Sequence, residues 1–342
     1  MHWGVTTHDV IDTGLVLRLR ALLDIVDRRL QSIADTLAGL SQQHETTVMA
    51  GRTWGQHSTP VTFGLKAAGW RAPLVRHRSR LNDLRTRLLV VSFGGASGTL
   101  SVIGEQAEAV EAALAAELDL ARPQLPWHAQ RDAIGEFAGV AALIAGSLAK
   151  MARDVSVLSQ TEIGEVRETG GSSSTMPQKA NPVRGQAIQA LCRCVDGAAS
   201  VILAAQAQEN ERDPSGWMAE WMAIPDLANG LGGALKLADE LVRDLSVDPD
   251  RMAANLDNGT GLILAEAASF ALSRHMPRTE AIGLVKEACR DAAASGRHLI
   301  DILERRTDAP VDWTVLRDTR RQTGIAARLA RRSLGPDDPP KD

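Results

Sequence analysis

Cysteine is scarce: Cys192, Cys194 and Cys289 are the only three in 342 residues, and no two show CxxC spacing. Three thiols without that spacing exclude a disulfide framework, suggest no zinc site and fit a reducing cytoplasm. None of the eight histidines lies in an HExxH or other ligand pattern, so no metal is expected. Aromatic residues make up only 3% of the chain, and no basic run is interleaved with them. With a net charge of -4 and a pI near 6.1, the chain offers no general attraction to phosphate backbones, and nucleic acid is not an expected partner. No uninterrupted apolar run reaches the roughly 18 residues of a membrane span, and the N-terminus has neither a charged n-region nor an apolar h-region. Neither membrane insertion nor secretion is expected. Strand-type alternation is nearly absent.

Helical periodicity fills the space. Leu15, Leu19, Leu22, Val26, Leu30, Ile33, Leu37 and Leu40 recur every three or four positions, which predicts one very long helix from 9 to about 46. Similar patterns predict helices over about 60–91, 105–120, 131–161, 182–209 and 218–245. Helices of this length exceed the globular norm, and a stripe near the 3.5 repeat packs on a neighbour at a shallow angle. The expected fold is all-α, an elongated long-helix bundle over 1–245. After Leu245 the Ser-Val-Asp-Pro-Asp stretch breaks the pattern, and shorter helices over about 250–332 form a small helical C-terminal domain, 246–334. The Pro/Asp-rich tail 335–342 is expected to be disordered.

One segment concentrates polar chemistry. Residues 170–182 read Gly-Gly-Ser-Ser-Ser-Thr-Met-Pro-Gln-Lys-Ala-Asn-Pro. Read by composition alone, this is either a polar linker or a mobile loop that closes over a ligand and presents Lys179 and Asn181 to carboxylates. The run from Ser173 to Pro182 resembles the GSSxMPxKxNP signature of the fumarase/aspartase superfamily. That resemblance implies that Ser173 transfers the proton and that Lys179 and Asn181 hold a substrate carboxylate, with Ser174 beside them. The glycine that usually precedes the serines is Ser172 here, and the approach from Gly164 is several residues shorter than usual.

Two upstream blocks agree. The stretch His2 to Thr13 resembles the family's H-x-G-x-T-S-x-D region, with Thr7 in the serine position, and Gly51 to Pro60 resembles its GRTHxQ region. In superfamily members that eliminate amines, a histidine after GRT acts as general acid and is oriented by a glutamate past the KxNP motif; here those positions are Trp54 and Gln186. Losing both avoids a buried, unpaired glutamate. The tryptophan resembles the 3-carboxymuconate cycloisomerase branch, as do the stretches around 87–100, 126–132 and 208–221. That branch carries a helical domain ahead of the first block, so the resemblance implies that a preceding segment is missing.

For individual residues, a structural reading stands beside the functional one. Thr7, His8 and Asp9 either contact substrate or cap the long helix. His57 is either a pocket residue that takes over acid or carboxylate-binding work or a structural histidine. His128, between two helical patterns, is either a structural residue or, as the resemblance implies, one that reaches a neighbouring subunit's site. Arg212 suits bidentate recognition of a polycarboxylate or belongs to a solvated charge cluster. Trp54, Trp217 and Trp221 either line the pocket or only fill the core, the last two sharing a helical face. Ser147 and Lys150 fit SxxK without its companion motifs and carry no expectation. Together the resemblance implies a cofactor-free cycloisomerase acting on a small polycarboxylate, in a cytoplasmic homotetramer whose sites are shared between subunits. The alternatives are a β-eliminating C–N lyase that releases fumarate and a non-catalytic oligomer.

Overall fold

The computed structural model describes residues 3–171, 176, 179–256 and 259–335. The chain divides into two compact units. The first comprises Met1–Asp35, Ala72–Ser156 and Gly170–Asp244; the second comprises Thr36–Arg71, Val157–Thr169 and Leu245–Asp342. The unit that holds the C-terminal helices therefore also takes in two segments from earlier in the chain.

Five long helices follow the apolar stripes: α1 Thr7–Gln43, α2 Phe63–Leu88, α4 Asp132–Leu158, α5 Val183–Ala204 and α6 Pro214–Arg243, with the shorter α3 at Ala107–Leu118. At 37 residues α1 is roughly 55 Å long. Its stripe residues Leu19, Val26, Leu30 and Ile33 are buried in the first unit with Leu74, Leu81 and Leu84 of α2, Ile144 and Leu148 of α4 and Leu227, Leu231 and Leu235 of α6. Burying such side chains contributes about 1.5–3 kcal/mol each. Polar ties fix the register at the rim: Asp239 accepts from Arg29 and Ser32, and Asp27 accepts from Arg78. α4 and α5 are long and apolar enough to cross a membrane by composition, but half of α4's most apolar window is buried within the protein. There its hydropathy serves the core.

The second unit contains what periodicity did not reveal. Among the described residues, β1 Val48–Thr53 pairs antiparallel with β2 Gln56–Thr62, a hairpin ahead of α2 where the sequence led us to expect no strand. The turn residues Trp54 and Gly55 both have positive φ, +55° and +75°, as the two-residue turn that matches strand twist requires. A register shift between Ala50 and Arg52 disguises the alternation, because at Gly51 an added Cβ would lie 2.5 Å from the Thr59 carbonyl oxygen. α7 Pro249–Leu256, α8 Ala265–Leu272, α9 Arg278–Ser295, α10 Leu299–Glu304, α11 Trp313–Arg317 and α12 Ala326–Leu334 follow. Leu264, Leu272, Ala288, Leu299 and Leu303 form the local core of this region.

The hairpin also explains one motif residue in structural terms. Arg52 donates to both oxygens of the fully buried Glu165, at 2.9 and 2.6 Å, and Asn255 donates to the same carboxylate at 2.9 Å. Arg52→Ala leaves that carboxylate without its counter-charge, so a stability loss of about 3 kcal/mol is expected. A denaturant melt measures it. A change below about 0.5 kcal/mol would contradict the assignment.

Candidate functional site

The best-built polar cluster lies in the first unit, where α1 begins. Thr7, His8 and Asp9 are the first three helical residues. Asp9 reaches back to accept from the Thr6 backbone N–H at 2.8 Å, one half of a capping box. The same carboxylate accepts from the backbone amides of Gly94 and Gly95 at 2.8 and 3.0 Å and from His128 Nε2 at 2.6 Å. Burial opposes ionisation of Asp9, but the bonds from His128 and from the Thr6 and Gly94 amides outweigh it and hold the carboxyl below its usual range. Capping and site building thus fall to one residue. Glycine is needed at position 94, because a Cβ there would lie 2.9 Å from the His128 ring.

His8 stacks on Trp217 with ring centroids 3.6 Å apart and meets His128 edge-on at 5.4 Å. It is 6% exposed, and its Nε2 is buried without a hydrogen-bond partner among the described residues. Burial, opposed by Asp12 but reinforced by His128, Arg212 and Arg131, lowers its pKa from 6.5 to about 4. The imidazole is therefore neutral at physiological pH. Arg212 is half-buried, and its one side-chain partner among the described residues is the Thr6 hydroxyl. A guanidinium without a carboxylate partner, beside a neutral imidazole and a threonine, is suited to binding an anion.

Of the residues expected from sequence, this cluster unites His8, His128 and Arg212; Thr7 is exposed on the first turn of α1 beside it, and the threonine bonded to Arg212 is Thr6. Lys179 and Asn181 belong to the same unit, just ahead of α5. Lys179 is exposed, and neither side chain has a hydrogen-bond partner among the described residues. The Asn181 N–H donates to Gly171 O at 2.9 Å, which closes the neck of the signature segment. An added Cβ on Gly171 would fall 2.1 Å from the Asn181 carbonyl oxygen, so only glycine permits that closure. Ser173 and Ser174 lie outside the described residues.

Trp54 and His57 belong to the second unit. The core reading of Trp54 is wrong: the hairpin turn leaves its indole fully exposed. His57 lies on β2 in a cleft of about 620 Å³ with Gln56, Ser58, Thr59, Thr260 and Glu266. Trp217 is buried, whereas Trp221 is 43% exposed beside an apolar groove between α1 and α6.

Sequence reasoning missed Thr6, Asp12, Arg131 and Glu220. Two faint signals were there: Asp12 lies at i+4 from His8, and Glu220 at i+3 from Trp217, which places each pair on one helical face. Arg131 lies within the 126–132 stretch noted for its resemblance, but nothing there singled it out.

A family profile described as lyase matches residues 1–197. The chain is 50% identical over 307 residues to 3-carboxy-cis,cis-muconate cycloisomerase of Pseudomonas aeruginosa, covering 89% of this chain and 67% of that relative. The crystal structure of the 3-carboxy-cis,cis-muconate lactonizing enzyme from Pseudomonas putida superposes with a TM-score of 0.91 at 43% identity, over 97% of this chain and 76% of the other. That of fumarate lyase from Mesorhizobium sp. BNC1 superposes with a TM-score of 0.93 at 40% identity, over 98% and 78%.

Proposed function

The chain belongs to the fumarase/aspartase lyase family, and from that membership we propose that it converts 3-carboxy-cis,cis-muconate to 4-carboxymuconolactone without a cofactor. One carboxylate oxygen of the substrate attacks the conjugated double bond. As the new C–O bond forms, the π pair moves toward the adjoining carboxylate and gives an aci-carboxylate. A proton from solvent, passed through Ser173, then reaches the carbon and completes the lactone. Lys179 and Asn181 stabilise the developing charge, the largest electrostatic demand of the step. Thr7, His8 and Arg212 bind another carboxylate, with His128 held beside them by Asp9. Trp54 and His57 are proposed as substrate contacts supplied to a shared site by another copy of the chain.

The observation that carries this reading is Trp54. An indole follows Gly51-Arg52-Thr53 where amine-eliminating relatives need a proton donor, and lactonisation has no leaving group to protonate. Assembly as a cytoplasmic homotetramer is part of the proposal. The exposed apolar residues Val10, Met218, Trp221 and Met222 on α1 and α6 support association.

The test is turnover by the purified full chain. Loss of the diene absorbance of 3-carboxy-cis,cis-muconate with formation of the lactone is the expected result. The likeness to a fumarate lyase favours one second reading, β-elimination that releases fumarate. Fumarate from a succinyl amine, with the muconate untouched, would replace the first reading by the second.

A further inference from the structure

The cluster rests on a group of buried charges that the proposed chemistry does not use. Arg131, Asp12 and Glu220 are each no more than 1% exposed. Arg131 donates through Nη1 and Nη2 to the two oxygens of Asp12, at 2.8 and 3.2 Å, and through Nε to Glu220 Oε1 at 3.0 Å, with Nη2 also reaching Glu220 Oε2. One cation thus holds two carboxylates. Burying three charges with a net negative balance stabilises a fold less than apolar packing would. Burial raises the pKa of Glu220 despite its bonds to Arg131. Stability alone gives no reason for such an arrangement.

Its connections suggest one. Asp12 Oδ1 accepts from the indole N–H of Trp217 at 2.9 Å, and the Trp217 ring is the surface on which His8 stacks. On its other side, the Arg131 guanidinium lies 4.9 Å from the ring centroid of Trp127, the residue before His128. Trp127 is itself fixed by donating to Val91 O at 2.9 Å. Arg131 therefore reaches His8 through Asp12 and Trp217, and reaches His128 through Trp127. Both routes lie within the first unit.

We propose that Arg131 is a positioning residue: its two-carboxylate clamp sets the placement of the His8 ring relative to the His128 ring, and with it the geometry of the anion-binding cluster. This deepens the functional reading above and rests on it only for the catalytic consequence. The two rings meet edge-on because each is fixed from behind, His8 by a flat indole and His128 by the Asp9 carboxylate. If the clamp loosens, Trp217 loses its hydrogen-bond acceptor geometry and His8 its platform, while the cap on α1 and the Asp9–His128 bond remain.

Two variants separate positioning from folding. Arg131→Lys keeps the charge and removes the fork. Trp217→Phe keeps an aromatic face and removes only the N–H to Asp12. In the full-length protein labelled with ¹³C at histidine Cε1, both variants are expected to move the His8 resonance and its titration midpoint. Arg131→Lys is expected to move His128 as well, and His275, far along the sequence in the second unit, stays unchanged. In turnover, kcat falls about tenfold in each variant and KM changes less than threefold. Unchanged His8 signals in a folded Arg131→Lys protein would overturn the proposal, as would shifts spread evenly over all eight histidines. The resonances are read without substrate, so they report on positioning even if the native chain fails to turn over the muconate. Failure of the functional reading remains separate.

Discussion

Lys179→Met is expected to lower kcat for 3-carboxy-cis,cis-muconate by about 10²- to 10³-fold, the scale of removing one donor from a developing oxyanion. The ammonium is exposed and has no side-chain partner among the described residues, so its loss should move stability by no more than about 0.5 kcal/mol. Because the charge it meets exists fully only in the transition state, kcat and kcat/KM should fall together. Steady-state kinetics beside a thermal melt separate the possibilities. A rise in KM with kcat intact would reassign Lys179 to ground-state binding.

The second large effect is loss of stability in mild acid. His8 and His77 are both buried, and both have pKa values lowered from 6.5 to about 4, by burial first. His77, on α2, donates from Nε2 to Ser147 Oγ at 2.8 Å, and its Nδ1 accepts from Arg80 at 3.1 Å. Arg80 and Arg76 reinforce the shift. The folded state keeps both rings neutral, so between pH 6.5 and 4 the unfolded chain binds more protons and stability must rise with pH. The contribution is fully present above about pH 6.5 and lost as pH falls toward 4, on the order of 3 kcal/mol for each histidine. Melts at pH 7, 6, 5 and 4 should show a falling midpoint, and His77→Asn should flatten part of the slope. A midpoint constant over that range would refute the buried, neutral assignment of both rings.

The long helices were legible because their signal is local. The stripe that predicts α1 names Leu19, Val26, Leu30, Ile33 and Leu37, all buried, and the predicted boundaries fall within a few residues of those observed. The hairpin was hidden because its alternation is interrupted at Gly51 and its second strand contains Pro60, whereas the positive φ at Trp54 and Gly55 arises only once the strands pair. The candidate site was half legible for the same reason. Lys179 and Asn181 lie in a short block that composition and resemblance mark together, and Thr7 and His8 in one that the resemblance marks. Arg131 meets Asp12 across 119 residues of sequence and Glu220 across 89, and no local pattern announces contacts of that range. Asp9 shows how one residue can satisfy two readings, capping α1 and gathering the 94–95 amides and His128 into the cluster.

Turnover of 3-carboxy-cis,cis-muconate by the native chain and by Ser173→Ala, compared under identical conditions, is the most direct test of the proposed chemistry. The native protein should form the lactone, and the variant should be slower by about 10²- to 10⁴-fold, the range of a lost proton-transfer group. Equal rates in the two proteins would contradict it.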